Sequence, residues 1–243
     1  MLLKKYWRLS RLCIIPARGG SKRIPRKNIK FFLGKPIIAY SIEAALQSNL
    51  FDEVMVSTDD DEIAEIAKKY GAKIPFLRST KNADDFATTV DVINEVLQLY
   101  NKQKAKVFKT ACCIYPTAPF VSEIKLKEAF DLLLKKNFDC VFPVMEFSFP
   151  IQRALKKDAD NKMTLFQPKH LNSRSQDLEK AYHDSGQFYW FKTKEIVRKG
   201  KLWTDNTGVI VIKESEGQDI DTLEDWKLAE IKYKLLHEKE NTF

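Results

Sequence analysis

LCIIPARGGSKRIPRKN, residues 12–28, sets the fold. An apolar run from Leu12 to Pro16 passes directly into paired glycines and a string of cations, and Ile37 to Gln47 then repeats its apolar residues at helical spacing. Such an order is a strand, a loop and a helix. Outward from it the alternation continues. EVMVS, Glu53 to Ser57, is a second strand; Asp60 to Tyr70 is a helix closed by Gly71, and Thr88 to Tyr100 is another. Phe108 to Ile114 and Cys140 to Val144 are unbroken apolar runs separated by the periodic stretch Ile124 to Leu134. Strands buried on both faces read in this way, so an α/β protein with a mostly parallel sheet flanked by helices is expected. From Glu146 to about Tyr182 the rhythm gives way to polar and basic text with one short β-like piece, MTLF at 163–166. This segment is read as an insertion into a single domain spanning 1–243. The β pattern returns at Gly186 to Phe191 and at Gly208 to Ile212, and Asp221 to Leu236 is a last helix.

Composition narrows the partners. Lys and Arg number 41 against 33 Asp and Glu, a formal charge of +8 that favours anionic ligands such as nucleotides, acidic sugars or nucleic acid. The basic stretches Lys4 to Arg11 and Lys192 to Lys201 read as solvated surface. Four cysteines, Cys13, Cys112, Cys113 and Cys140, lie in apolar runs without metal-type spacing, as small core residues of a reducing compartment do. The opening MLLKKYWRLSRL is too short and too charged for a signal peptide, and no apolar run approaches the ~20 residues of a membrane span. A cytoplasmic protein with no membrane partner is the expectation.

In an open parallel sheet, ligands bind beyond the carboxyl ends of the strands, so the loops after Pro16, Ser57, Ile114 and Val144 should converge. The first of them carries Ala17, Arg18, Gly19, Gly20, Ser21, Lys22, Lys27 and Asn28. Glycines let backbone N–H groups approach an anion, and the three cations can balance charge spread over a triphosphate. Neither a GxxxxGK[ST] nor a GxGxxG spacing is present, and taken alone the segment fits a basic surface turn equally well. Near the end, Asp219-Ile220-Asp221 sets two carboxylates on one side of an extended segment with the apolar residue on the other, an arrangement that suits Mg²⁺. Asp221 also suits the N-cap of the last helix, with Glu224 completing a capping box. The triplet Asp59-Asp60-Asp61 opens a helix and reads as capping and dipole compensation.

GSKRIPRKNI followed by GKPIIAYSI resembles the cytidylyltransferases that activate acidic sugars, the CMP-sialic acid synthetase family. The resemblance runs through nearly the whole chain, including PFLR at 75–78 and DDFATT at 84–89. It implies a Rossmann-like nucleotidyltransferase fold. It also implies CTP and an acidic nine-carbon sugar as substrates, Mg²⁺ held by Asp219 and Asp221, charge stabilisation by Arg18, Lys22 and Lys27, and cytosine reading by Arg78, Ala87 and Thr89. On chemistry alone Arg78 would suit an exposed ion pair better. The insertion corresponds to the family's dimerisation excursion, so a homodimer is expected.

Within that family two departures bear on the sugar. The strand-end segment usually reads Leu-Gln-Pro-Thr-Ser-Pro, whereas Tyr115 stands here in place of the Gln that faces the sugar in sialic-acid enzymes. HDSGQFYW at 183–190 replaces their Asn-Gly and resembles the pseudaminic acid branch, with Gln187 as a sugar contact and Arg174 as a carboxylate ligand. Pseudaminic acid lacks the C9 oxygen and carries an amide at C7, so its pocket calls for more apolar surface, which Tyr115 supplies. His183 fits a structural role better than a general base. The competing readings are a synthetase for sialic or legionaminic acid or for 3-deoxy-octulosonate, and, outside enzymes, a basic RNA-binding protein of the same fold. The absence of an RNP-type aromatic motif speaks against the last, and no nucleic-acid partner is expected.

Overall fold

The computed structural model describes residues 10–238. Its central sheet contains β1 (Arg11–Pro16), β2 (Glu53–Ser57), β3 (Thr110–Ile114), β4 (Cys140–Glu146), β5 (Tyr182–Asp184), β6 (Phe188–Lys192) and β7 (Thr207–Ile212). The strand order is β7-β4-β6-β3-β1-β2, with β5 paired to β4. β2, β1 and β3 run parallel, as do β4 and β7, whereas β6 lies antiparallel between β3 and β4. The expected mostly parallel sheet is present, with β5 and β6 as its reversed members.

Alternation along the strands supplies two cores. Cys13 and Ile15 face one side, packed with Ile38 and Ile42 of α1 (Ile37–Gln47), Ile63 and Ala67 of α2 (Asp61–Lys69) and Leu126 and Phe130 of α4 (Glu123–Lys135). Leu12 and Ile14 face the other, against Val92, Ile93 and Val96 of α3 (Thr89–Lys104) and Ile196 of α5 (Thr193–Lys199). Both faces of β1 are therefore dry, which is why its sequence is an apolar run rather than an alternating one. All four cysteines are free and buried, as read from their apolar surroundings.

Several boundaries move for identifiable reasons. Asp60 and Thr88 stand just outside their helices as N-caps: Asp60 accepts from the N–H of Ile63, and Thr88 forms a reciprocal capping box with Asp91. The last helix, α6, spans Leu223–Glu238, and Thr222, not Asp221, caps it by exchanging hydrogen bonds with Asp225. The basic stretch read as solvated surface contains α5, whose Ile196 is fully buried and whose C-cap is the left-handed Gly200. The insertion contains the hairpin Leu155–Lys157 with Met163–Leu165 and several short 3-10 turns. The other basic stretch, from Lys4, falls mostly outside the described residues.

Candidate active site

The strand order places β1 between β2 and β3, so the chain leaves β1 toward one side and returns on the other. Loops diverge there at the carboxyl ends and open a crevice. A cavity of about 400 Å³ occupies it, lined by Arg18, Gly20, Ser21, Lys22, Lys27 and Asn28 from the first loop and by Tyr115 and Thr117 after β3. The three cations read as charge stabilisers are thus brought to one cavity.

The loop owes its shape to its own polar groups. Ala17 N–H donates to the Ser57 carbonyl at 2.9 Å, and the buried Asn28 side chain donates to the Arg18 carbonyl at 2.9 Å. Arg26 takes a left-handed conformation, φ 54°, and reaches Asp60 and Glu62 on α2. Gly19 is required by a close neighbour, because a Cβ there would stand 2.8 Å from Asp60 Oδ2. Its N–H donates to Asp59 at 3.0 Å, which gives the first Asp of the triplet a loop contact beside the helix cap.

Carboxylates answer the cations from two sides. Arg18 pairs with Asp85 at 2.9 Å and donates to the Asp84 carbonyl at 2.7 Å, and Lys22 also pairs with Asp85. On the opposite side Arg23 meets Asp221 at 2.7 Å, and Lys27 donates to the Ile220 carbonyl at 2.7 Å with Asp221 3.8 Å away. Ile220 is fully buried beside Phe32 and Trp226, so the Asp219-Ile220-Asp221 segment does turn its apolar residue into a core. Surrounding protein, then the charge of Asp221, pushes the Asp219 carboxyl above its usual range, with Lys27 opposing. Burial lowers Lys27, and Asp221 and Asp219 oppose that. The pair and the lysine form one electrostatic unit.

Two carboxylates beside the triphosphate-sized crevice fit Mg²⁺, which is held through one or two carboxylates while substrate phosphates and water complete an octahedron. Among the described residues no group of three or more His, Cys, Asp or Glu side chains is gathered to hold a metal.

Arg78 is buried at 7% exposure, with Nε donating to Ser57 Oγ at 3.0 Å and its guanidinium also bonded to the Ser57 carbonyl. It is not an exposed ion pair. Burial lowers its pKa, and Asp59 opposes the shift most. Ala87 N–H is tied to Asp84 at 2.8 Å, and Thr89 Oγ1 lies 3.2 Å from the Tyr115 hydroxyl, itself raised in pKa by burial. Through Asp84 and Asp85 the first loop, the Ala87 turn and Tyr115 become one neighbourhood.

Gln187 stands apart from the crevice. It is buried, its Nε2 donates to the Glu216 carbonyl at 2.7 Å, and it lines a different cavity with Phe120, Ser122 and Tyr233. Its work is to hold the strand-like segment leading to Asp219. Arg174 is exposed on the insertion, outside the crevice of its own chain. His183 hydrogen-bonds the Asp184 carbonyl through Nδ1 at 3.0 Å and packs on Phe147, the structural role expected of it. Sequence reasoning passed over Ser57, Asp85, Asp184 and Tyr189, since a serine at a strand end or an aspartate in a turn carries no spacing signal.

A profile of the family described as cytidylyltransferase matches residues 12–217. The chain is 45% identical to the pseudaminic acid cytidylyltransferase of Campylobacter jejuni over 95% of its own length and 99% of that protein's. It is 35% identical to the CMP-N,N'-diacetyllegionaminic acid synthase of Legionella pneumophila over 90% and 94%. In fold it matches CMP:2-keto-3-deoxy-manno-octonic acid synthetase complexed with CTP, with a TM-score of 0.67, 18% identity and coverage of 94% and 99%. A sheet with its switch beside β1, a cation-lined crevice there and these similarities lead to one assignment: the chain belongs to the cytidylyltransferase family.

Proposed function

We propose that the protein transfers CMP from CTP to the anomeric hydroxyl of a nonulosonic acid, pseudaminic acid in particular, with release of pyrophosphate. The observation that carries this reading is the crevice that gathers Arg18, Lys22 and Lys27 against Tyr115 in a chain so similar to a pseudaminic acid cytidylyltransferase. Arg18, Lys22 and Lys27 exchange Asp85 and Asp221 for phosphate oxygens, and the N–H groups of the loop from Ala17 to Ser21 add fixed dipoles. Arg78 and the turn at Ala87 and Thr89 hold the cytosine. Tyr115 forms the sugar-side wall, so the anomeric oxygen is directed at the α-phosphorus as the bond to the β-phosphate breaks. Positioning and charge stabilisation suffice, without a covalent enzyme intermediate. Asp219 and Asp221 would hold Mg²⁺, which supplies Lewis-acid stabilisation of charge on the α-phosphate and on departing pyrophosphate.

The reading includes a cytoplasmic homodimer. Phe149, Phe166 and Leu171 on the insertion are 81%, 62% and 60% exposed, apolar area that a partner subunit would cover. The same arrangement would carry Arg174 or Arg153 to the partner's sugar. Among the described residues no helix is long and apolar enough to cross a membrane. The test is incubation with CTP, Mg²⁺ and pseudaminic acid, read by pyrophosphate release and by the mass of the product. The expected result is one pyrophosphate per CMP-sugar; CTP hydrolysis without a sugar adduct would contradict it.

A further inference from the structure

Behind Tyr115 stands a carboxylate that the reaction as described does not use. Asp184 ends β5 opposite Val144 of β4, and its two oxygens point in different directions. Oδ2 accepts the hydroxyl of Tyr189, and Oδ1 accepts the backbone N–H of Gly186 at 2.9 Å. Each acceptor begins a short path to a different part of the crevice.

Along the first path, Tyr189 is only 4% exposed and its ring meets that of Tyr115 edge-on, centroids 5.5 Å apart. The Tyr115 hydroxyl in turn lies 3.2 Å from Thr89 Oγ1. Burial, then the Tyr115 and Asp184 charges, keep the Tyr189 hydroxyl protonated well beyond the usual range, so it remains a donor to Asp184. Along the second path, Gly186 adopts φ 65° and lies so near Asp219 that a Cβ would stand 3.3 Å from its Cγ. The Gly186 turn is therefore the surface on which the Asp219 carboxylate rests.

We propose that Asp184 is a positioning residue that sets Tyr115 and Asp219 in one frame, the first through Tyr189 and the second through the Gly186 turn. The inference rests on Tyr115 as the sugar wall and on Asp219 as a metal ligand. Its physical basis is the acceptor count. An ionised carboxylate offers two acceptor oxygens, and here one is taken by the Tyr189 hydroxyl and the other by the Gly186 N–H. An alanine offers no acceptor at all, so Asp184→Ala abandons both Tyr189 and Gly186. A donor left without its acceptor in a part-buried site moves or leaves its neighbours strained, and the displacement passes to Tyr115 or Asp219.

The test separates the two paths. Mn²⁺ binding to the substrate-free protein, followed by electron paramagnetic resonance, reports on Asp219, and KM for the acceptor sugar at saturating CTP reports on Tyr115. Tyr189→Phe should raise the sugar KM roughly fivefold, the effect of one lost hydrogen bond, with Mn²⁺ affinity within about twofold of wild type. Gly186→Ala should weaken Mn²⁺ roughly tenfold, as loss of a ligand's support does, and leave KM within about twofold. Asp184→Ala should move both. The proposal is overturned if Asp184→Ala folds and fails to move both quantities, or if Tyr189→Phe and Gly186→Ala each move both in parallel. Should Asp184→Ala fail to fold, the split between the other two variants decides alone. Asp219→Asn is the control: wild-type Mn²⁺ binding in that variant would refute the metal site itself, whereas weakened binding there with none in Gly186→Ala would refute only the positioning role.

Discussion

At the scale of single residues, function and stability pull Asp219 in opposite directions. Crowding and the Asp221 charge raise its pKa, so the ionised form that a metal needs is the form the substrate-free fold disfavours. A group whose folded pKa is raised has its full stabilising contribution below its unfolded value and loses it as pH rises through the folded pKa. Asp219→Asn is therefore expected to raise the melting temperature of the metal-free protein at neutral pH by roughly 1–3 °C. That advantage should shrink as pH falls through the raised carboxylate pKa toward 4, a trend that thermal denaturation at several pH values would show. The same variant should lose turnover by about 10² or more, measured as pyrophosphate release across a Mg²⁺ titration. Arg78 offers a cleaner test of base recognition. Arg78→Lys cannot keep both Ser57 contacts, so KM for CTP should rise about tenfold with a smaller change in kcat, as steady-state kinetics would report. Legibility at this scale was uneven. The loop cations and Asp219-Ile220-Asp221 were readable because glycine, charge and period-2 alternation each leave a mark in sequence.

At the scale of elements, helix starts deliver side chains to the crevice. Thr88 caps α3 through a capping box with Asp91, and the next residue is Thr89, the neighbour of Tyr115. Thr88→Ala should cost about 1 kcal/mol, seen as a fall in the denaturation midpoint, and fraying of that first turn should raise KM for CTP severalfold. Asp60 does comparable work at α2 while also holding Arg26 of the loop that follows β1. The parallel strands were legible because burial on both faces produces unbroken apolar runs. The reversed direction of β6 was not, since an apolar run has no polarity along the chain and FYWF reads the same whichever way it is inserted. Helix α5 escaped notice because seven residues with one fully buried isoleucine give little period to detect.

At the scale of the whole molecule, Phe149, Phe166 and Leu171 of the insertion are large apolar side chains left exposed by their own chain. Sedimentation at micromolar concentration should give the mass of a dimer, and charged substitutions at Phe149 and Phe166 should shift it toward monomer with a parallel loss of activity. A fully active monomer would contradict both the assembly and any contribution of Arg174 from a partner. Choice of sugar is expected to depend on Tyr115, which stands where the resemblance to sialic-acid enzymes leads one to expect a glutamine. A pocket matched to one set of substituents rejects an analogue that leaves its polar groups unpaired by factors that reach ~10⁴. The most direct measurement is kcat/KM for pseudaminic acid and for N-acetylneuraminic acid, side by side, with CTP and Mg²⁺ saturating. The expected result is a preference for pseudaminic acid of at least about 10²; equal or better use of N-acetylneuraminic acid would contradict it.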